Sequence, residues 1–129
     1  MAFEFLRSEN NASPIEKEII ATNATTYKHG SLVAYGSAGT AVVTSGTAVP
    51  EFVYVGKDIT AKTGDVLAVV PVLPEYEWET TLSAAGTTLV PGNKVTTTGE
   101  QATATTTSGV FELLTAGGAS GVKVVGRFA

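Results

Sequence analysis

The spacing of turn residues is the feature that most constrains this chain. From Lys28 onward, Gly, Pro and Asn recur at close intervals, and the runs between them are short and rich in Val, Thr, Tyr and Phe. Such a pattern is typical of an all-β sandwich or barrel. We predict an all-β fold, a compact small β-barrel or β-sandwich with at most one short helix. The predicted strands are residues 31–35, 40–45, 51–59, 65–73, 76–82, 94–99, 103–108, 110–115 and 121–129.

Alternation of side chains distinguishes buried strands from half-exposed ones, because successive residues point to opposite faces. The run "DVLAVVPVL" is apolar on both faces, which predicts a central strand. Pro71 cannot donate to a ladder, so it predicts a bulge or an edge at that point. In the closing "GVKVVGRFA", Val122, Val124 and Phe128 share one face and Lys123 and Arg127 share the other. That strand is expected to have one solvated face.

The length and composition indicate one domain without covalent cross-links. A chain of 129 residues can enclose one hydrophobic core. We expect an N-terminal arm over residues 1–27 and a single β domain over residues 28–129. Because Cys is absent, disulfides, thiolate metal sites and cysteine nucleophiles are excluded, and stability must come from packing or assembly.

The charge distribution is acidic. The formal net charge is −4, and the segment from Gly64 to Val122 has six acidic side chains and one basic side chain, Lys94. Binding to a phosphate backbone requires clustered Lys and Arg, so we expect no nucleic-acid partner. No run approaches the roughly 20 apolar residues of a membrane-spanning helix, and "MAFEFLRSE" lacks the features of a signal peptide. We expect no membrane partner either.

The first 27 residues differ from the rest. The apolar "FEFL" precedes the polar "RSENNA", and "SPIE" has the spacing of a helix capping box with Pro at the first helical position. This predicts a short helix over residues 14–20, which must dock on something to be stable. We interpret the segment as an arm that binds a partner, so that deleting residues 1–12 leaves the domain folded and abolishes attachment. The alternative is a first core strand, because "AFEFL" alternates. The proposed contact residues are Phe3, Phe5, Leu6, Ile15 and Ile19.

The chain has one histidine, His29, in the stretch "YKHGS". A catalytic triad or a histidine-based metal site needs partner side chains, and no acid lies nearby in the sequence to orient the ring. We predict an exposed histidine in a turn.

The stretch "PEYEWET" carries the most conspicuous cluster. Glu75, Glu77 and Glu79 share one face of the predicted strand and could hold a divalent cation or form a catalytic pair. Carboxylates two apart on one strand diverge and repel, so a solvated acidic face is the simpler interpretation. Tyr76 and Trp78 then pack in the core, or alternatively form a sugar-stacking platform. We expect no catalytic residue, no metal and no cofactor, and hence a protein that is not an enzyme.

The order of segments resembles the capsid decoration, or cement, proteins of tailed bacteriophages. The resemblance is carried by "YKHGSLVAY", then "EFVYVGKDITAKTGDVLAVVPVL", then "TSGVFELLTAGGASGVKVVGRFA". It implies a β-rich protein, made in the host cytoplasm, that sits on the outer capsid surface of the virion as a homotrimer. It further implies that the protein binds the major capsid protein and bridges neighbouring subunits. The alternative function is a carbohydrate-binding or adhesive module that uses Tyr76 and Trp78.

Overall fold

The structure is a computed structural model that describes residues 2–129, and these residues form strands and turns without a helix. The described chain accordingly contains no helical membrane span. The all-β prediction is confirmed. In chain order the strands are β1 (Glu4–Ser8), β2 (Lys17–Ile20), β3 (Thr26–Tyr27), β4 (Leu32–Tyr35), β5 (Ala41–Val43), β6 (Phe52–Tyr54), β7 (Ile59–Thr60), β8 (Val66–Pro71), β9 (Tyr76–Thr81), β10 (Lys94–Val95), β11 (Phe111–Leu113) and β12 (Lys123–Phe128).

Ten of these strands form two five-stranded sheets, and every pairing within them is antiparallel. Sheet A has the order β1-β9-β12-β11-β10, and sheet B has the order β2-β8-β6-β4-β5. Strands β3 and β7 pair with each other. Sheet A therefore joins the first strand of the chain to the last four, while the strands of sheet B come from between them.

Sheet B curls until its two edge strands meet. A parallel bridge joins Ala21, which follows β2, to Ala41, the first residue of β5. The Tyr27 hydroxyl holds this junction, because it accepts the Thr22 N–H at 2.9 Å and donates to the Ala41 carbonyl at 2.7 Å. Sheet B is thus a small barrel. Its interior is filled by the buried side chains of Ile19, Tyr27, Val33, Phe52, Leu67 and Val69.

A second, larger core lies between sheet A and the outside of the barrel. Leu32, Val53 and Val70 point out of the barrel into this core, since they alternate with residues that fill its interior. Sheet A covers them with aromatic rings. The rings that contact one another there belong to Phe3, Tyr76, Trp78, Phe111 and Phe128.

Most predicted strands are present, and three differ. The run 94–99 is reduced to β10, Lys94–Val95. The run 51–59 is split into β6 and β7. Residues 103–108 form no strand, although the N–H of Thr103 donates to the Thr96 carbonyl and the Thr96 N–H to that of Thr105. The Thr103 hydroxyl accepts the N–H of Thr105, and such side-chain bonds compete with a regular ladder. Strand β8 is interior to its sheet as predicted, and Pro71 is its last residue.

The predicted helix over residues 14–20 is wrong. Residues 17–20 form β2, which pairs with β8 so that Ile19 lies opposite Leu67 inside the barrel. A capping box stabilises only a few backbone groups, whereas pairing satisfies a row of them and buries an apolar side chain. The separate arm over residues 1–27 is wrong for the same reason. It contains three strands: β1 and β2 belong to the two five-stranded sheets, and β3 pairs with β7. The position of β1 agrees with the alternative of a first core strand.

Candidate functional site

Three of the five proposed attachment residues are part of the cores. Phe3 is 1% exposed, and its ring centroid lies 5.3 Å from that of Phe111. Ile19 points into the barrel, and the partly buried Phe5 packs edge-on against Tyr76. Only Leu6 and Ile15 remain exposed, so the structure does not bring the five together as a binding surface.

A β-bulge explains why Leu6 is outside. In β1, Phe5 lies opposite Trp78 and Arg7 lies opposite Glu77, with Leu6 as the extra residue between them. Without the bulge, Arg7 would lie on the same face of β1 as Phe5, two residues before it, and would point into the core. With it, the Arg7 guanidinium faces solvent and lies 2.9 Å from the Glu77 carboxylate.

Tyr76 and Trp78 point inward from β9. Trp78 is 0% exposed and Tyr76 is 2% exposed. A sugar-stacking platform needs an accessible ring face, so the carbohydrate interpretation of this pair is wrong in this structure. The interpretation that the pair packs in the core is confirmed. The face above it differs from the predicted solvated acidic face, because Glu77 and Glu79 are half-buried and pair with Arg7 and Lys123.

The outer face of sheet A is a row of alternating charges. Arg7 lies opposite Glu77, Arg127 lies opposite Glu112, and Glu112 lies opposite Lys94. Arg127 follows Gly126, the partner of Trp78, so it is the next side chain beside Glu77. Opposite charges directly across a sheet attract, and here they alternate over all five strands. This face is therefore largely neutralised by its own residues.

Two further ion pairs extend this pattern. The Arg127 guanidinium binds the carboxylates of Glu112 at 2.8 Å and Glu9 at 2.7 Å, and these acids raise its pKa further above the ordinary range. Lys123 lies 3.7 Å from Glu79. Within residues 2–129, no group of three or more His, Asp or Glu side chains is placed to hold a metal ion. The carboxylates of β9 instead pair with bases on the neighbouring strands.

A shallow depression of about 190 Å³ lies at the edge of this face. It is bordered by Glu4 and Glu79, which lie opposite each other across β1 and β9, and by Thr81 and Lys123. Like charges directly opposite each other are unfavourable. Each of these two carboxylates contacts a base, His29 for Glu4 and Lys123 for Glu79.

Exposed apolar side chains concentrate on the barrel. Ile20 and Val66 are a cross-strand pair on its outer side, 52% and 55% exposed. Val42 on β5 is also exposed and points to the outer side, because it follows Ala41 of the barrel interior. We call Ile20, Val42 and Val66 the barrel patch. Tyr35 and Val43 are exposed too, but they share a face with residues of the barrel interior, since Tyr35 packs on Phe52 and Val43 lies opposite Val33. In the strands of sheet A, by contrast, the only exposed large apolar side chain among the described residues is Leu6.

The chain matches no protein-family model and no curated protein. The surfaces of the molecule therefore carry the functional argument. Their most pronounced property is the contrast between the neutralised charged face of sheet A and the barrel patch.

Sequence reasoning missed the barrel patch, although a signal for it was present. "DVLAVV" is apolar at both alternating sets of positions, and only Val70 of the outward set is covered by sheet A. The remaining outward positions, Val66 and Ala68, are exposed. A strand with apolar side chains on both faces is expected to be buried on both faces. Exposed apolar side chains at one end of such a strand therefore indicate a surface that another molecule can cover.

Proposed function

We propose that this chain is a non-enzymatic structural protein that binds the outside of the assembled capsid of a tailed phage. In this role it bridges subunits of the major capsid protein and so stabilises the head. Two observations support the proposal. The three segments quoted above resemble capsid decoration proteins, and the surface of the molecule combines a neutralised charged face on sheet A with the exposed apolar barrel patch.

The contrast between the two sides carries the proposal. The charges on sheet A have partners within the molecule, so docking there would break existing ion pairs and bury charge. The barrel patch has no such cost, because burying its side chains removes apolar surface from water. We assign the barrel patch as the attachment surface and the outer face of sheet A as the side turned to solvent.

The energy available per copy is modest. Burying the exposed half of an Ile or Val side chain contributes about 1 kcal/mol, so a few residues of the patch contribute a few kcal/mol. A homotrimer on a symmetric shell presents several copies of the patch to several equivalent binding sites. Once one copy is bound, the effective concentration of the others at their sites is high, so weak contacts together give firm attachment. The net charge of −4 suits a protein on the outer surface, away from the packaged DNA.

The experiment is co-sedimentation with mature heads of the virus or prophage that encodes the chain. Ile20→Glu and Val66→Glu place a charge in the patch, and Val90→Glu is the matched control. Val90 is 54% exposed but lies in the turn before β10, outside the barrel. The wild type and Val90→Glu should bind saturably, while both patch variants should lose binding by about tenfold or more, since each buries an unpaired charge. Equal binding by all four proteins would overturn the assignment of the patch, and binding by none would overturn the proposed function.

A further inference from the structure

His29 joins three segments of the chain that are distant in sequence. It lies in the turn between β3 and β4, and its side chain is 44% exposed. Its ring Nε2 lies 3.1 Å from a carboxylate oxygen of Glu4 on β1, and its ring Nδ1 lies 3.1 Å from the carbonyl oxygen of Gly56. Its backbone N–H donates to the Asp58 carboxylate at 2.9 Å. The exposed turn histidine thus does have an acid beside its ring, supplied by a residue 25 positions away in the sequence.

The next residue, Gly30, fastens β1 at the same point. The Phe3 N–H donates to the Gly30 carbonyl at 3.0 Å, and the Gly30 N–H donates to the Tyr54 carbonyl at 2.7 Å. Gly30 has φ of +80°, and a Cβ there would collide with Ala2. The turn therefore touches the start of β1 through both its backbone and the His29 ring.

The chemistry of the two ring contacts depends on protonation. A carboxylate and a carbonyl are both acceptors only, whereas a neutral imidazole carries a single N–H. The neutral ring can therefore donate to Glu4 or to Gly56, but not to both. The imidazolium, with an N–H on each nitrogen, can donate to both and adds an ion pair with Glu4.

We propose that His29 is a pH-sensitive clasp that holds the N-terminal strand β1 to the rest of the fold when its ring is doubly protonated. The inference is independent of the proposed function. It concerns β1, the edge strand of sheet A, which follows directly after the core residue Phe3. Loss of the proton releases one of the two ring contacts and loosens the start of β1.

Charged groups of both signs surround the ring, and the acids favour its doubly protonated state while the lysines disfavour it. Glu4 faces it from β1, Asp58 and Lys57 belong to the segment between β6 and β7, and Lys28 precedes it in the turn. Partial burial lowers the pKa of His29, but the hydrogen bonds with Gly56 and Glu4 and the charge of Glu4 outweigh it, so the pKa is raised. A raised pKa means that the stabilisation is complete below the ordinary pKa of histidine and is lost as the pH rises through the folded-state value.

The first test is an NMR titration of the imidazole nitrogens, which are unambiguous because His29 is the only histidine. In the wild type both nitrogens should be protonated at mildly acidic pH, with a pKa above that of an unstructured peptide. Glu4→Gln should lower this pKa, and Lys28→Gln, which removes a neighbouring positive charge, should not lower it. A wild-type pKa at the peptide value, or one that Glu4→Gln leaves unchanged, would overturn the proposal.

The second test measures the strand itself. Amide hydrogen exchange of β1, corrected for the intrinsic effect of pH, should show protection falling about two- to fivefold between pH 5.5 and 8.5, the range for an exposed ion pair. In His29→Gln the corrected protection should not change with pH, while Lys28→Gln should behave as the wild type. The same fall in His29→Gln, or no fall in the wild type, would contradict the clasp.

Discussion

The ring of Phe3 stands edge-on against the ring of Phe111, with centroids 5.3 Å apart and planes inclined by 78°. The third residue of the chain thus packs against a strand from its last fifth. This contact makes the N-terminal strand a structural element of the core, and it changes what truncation should do.

Replacing Phe3 by Ala should destabilise the protein by about 3–5 kcal/mol, the cost of removing a buried aromatic ring. Leu6→Ala, three residues further along the chain in β1 and 38% exposed, is the matched control and should cost less than about 1 kcal/mol. Urea unfolding followed by circular dichroism gives both values. Deleting residues 1–12 should also destabilise the fold, contrary to the expectation from the arm interpretation. A Phe3→Ala variant as stable as Leu6→Ala would contradict the core position of this ring.

The indole of Trp78 should report a nonpolar, closed environment. It is the only tryptophan, it is fully buried, and Phe5, Tyr76 and Phe128 surround it. We expect blue-shifted fluorescence in the native protein, little quenching by acrylamide, and no response to added sugars. Unfolding in urea should shift the emission to the red and expose the ring to the quencher. Efficient quenching of the native protein would show that Trp78 is accessible and would revive the sugar platform.

Gly126 should not tolerate a side chain. It lies opposite Trp78 in β12, and a Cβ there would collide with the carbonyl oxygen of Glu112 and approach the Phe111 ring to 2.7 Å. Gly126→Ala should therefore cost about 1–3 kcal/mol through overpacking.

The control for this substitution is Gly118→Ala. A Cβ at Gly118 meets only Val122, at 3.4 Å or more, and φ there is not in the left-handed region. This variant should be nearly neutral in the same urea unfolding experiment. Equal stability of the two variants would contradict the close packing of β11 on β12.

Local patterns predicted the fold class and the faces of the strands. Turn spacing indicated an all-β fold, and alternation placed Trp78 inward and Lys123 and Arg127 outward, as observed. The inward placement of Val122 is wrong, because this residue precedes β12 and is exposed. Turn positions and side-chain alternation depend only on residues close together in the chain, so a single sequence is enough to predict them.

Contacts between distant segments were not predictable in this way. The capping box at "SPIE" favours a helix locally, but β2 pairs with β8 nearly 50 residues away and places Ile19 against Leu67. The bulge at Leu6 shifts the phase of β1, so that strict alternation misplaces Arg7. Glu4 approaches His29 across 25 positions. No local signal specifies which distant strand supplies the partner.

The most direct test of the central claim is a cryo-electron microscopy reconstruction of heads saturated with the protein. The proposed attachment predicts density for the protein on the outer surface of the shell, with Ile20 and Val66 against the major capsid protein and Arg7 and Arg127 turned to solvent. A reconstruction with the charged face of sheet A against the shell would contradict the proposed orientation. Heads that carry no added density at saturating protein would contradict the capsid-binding function itself.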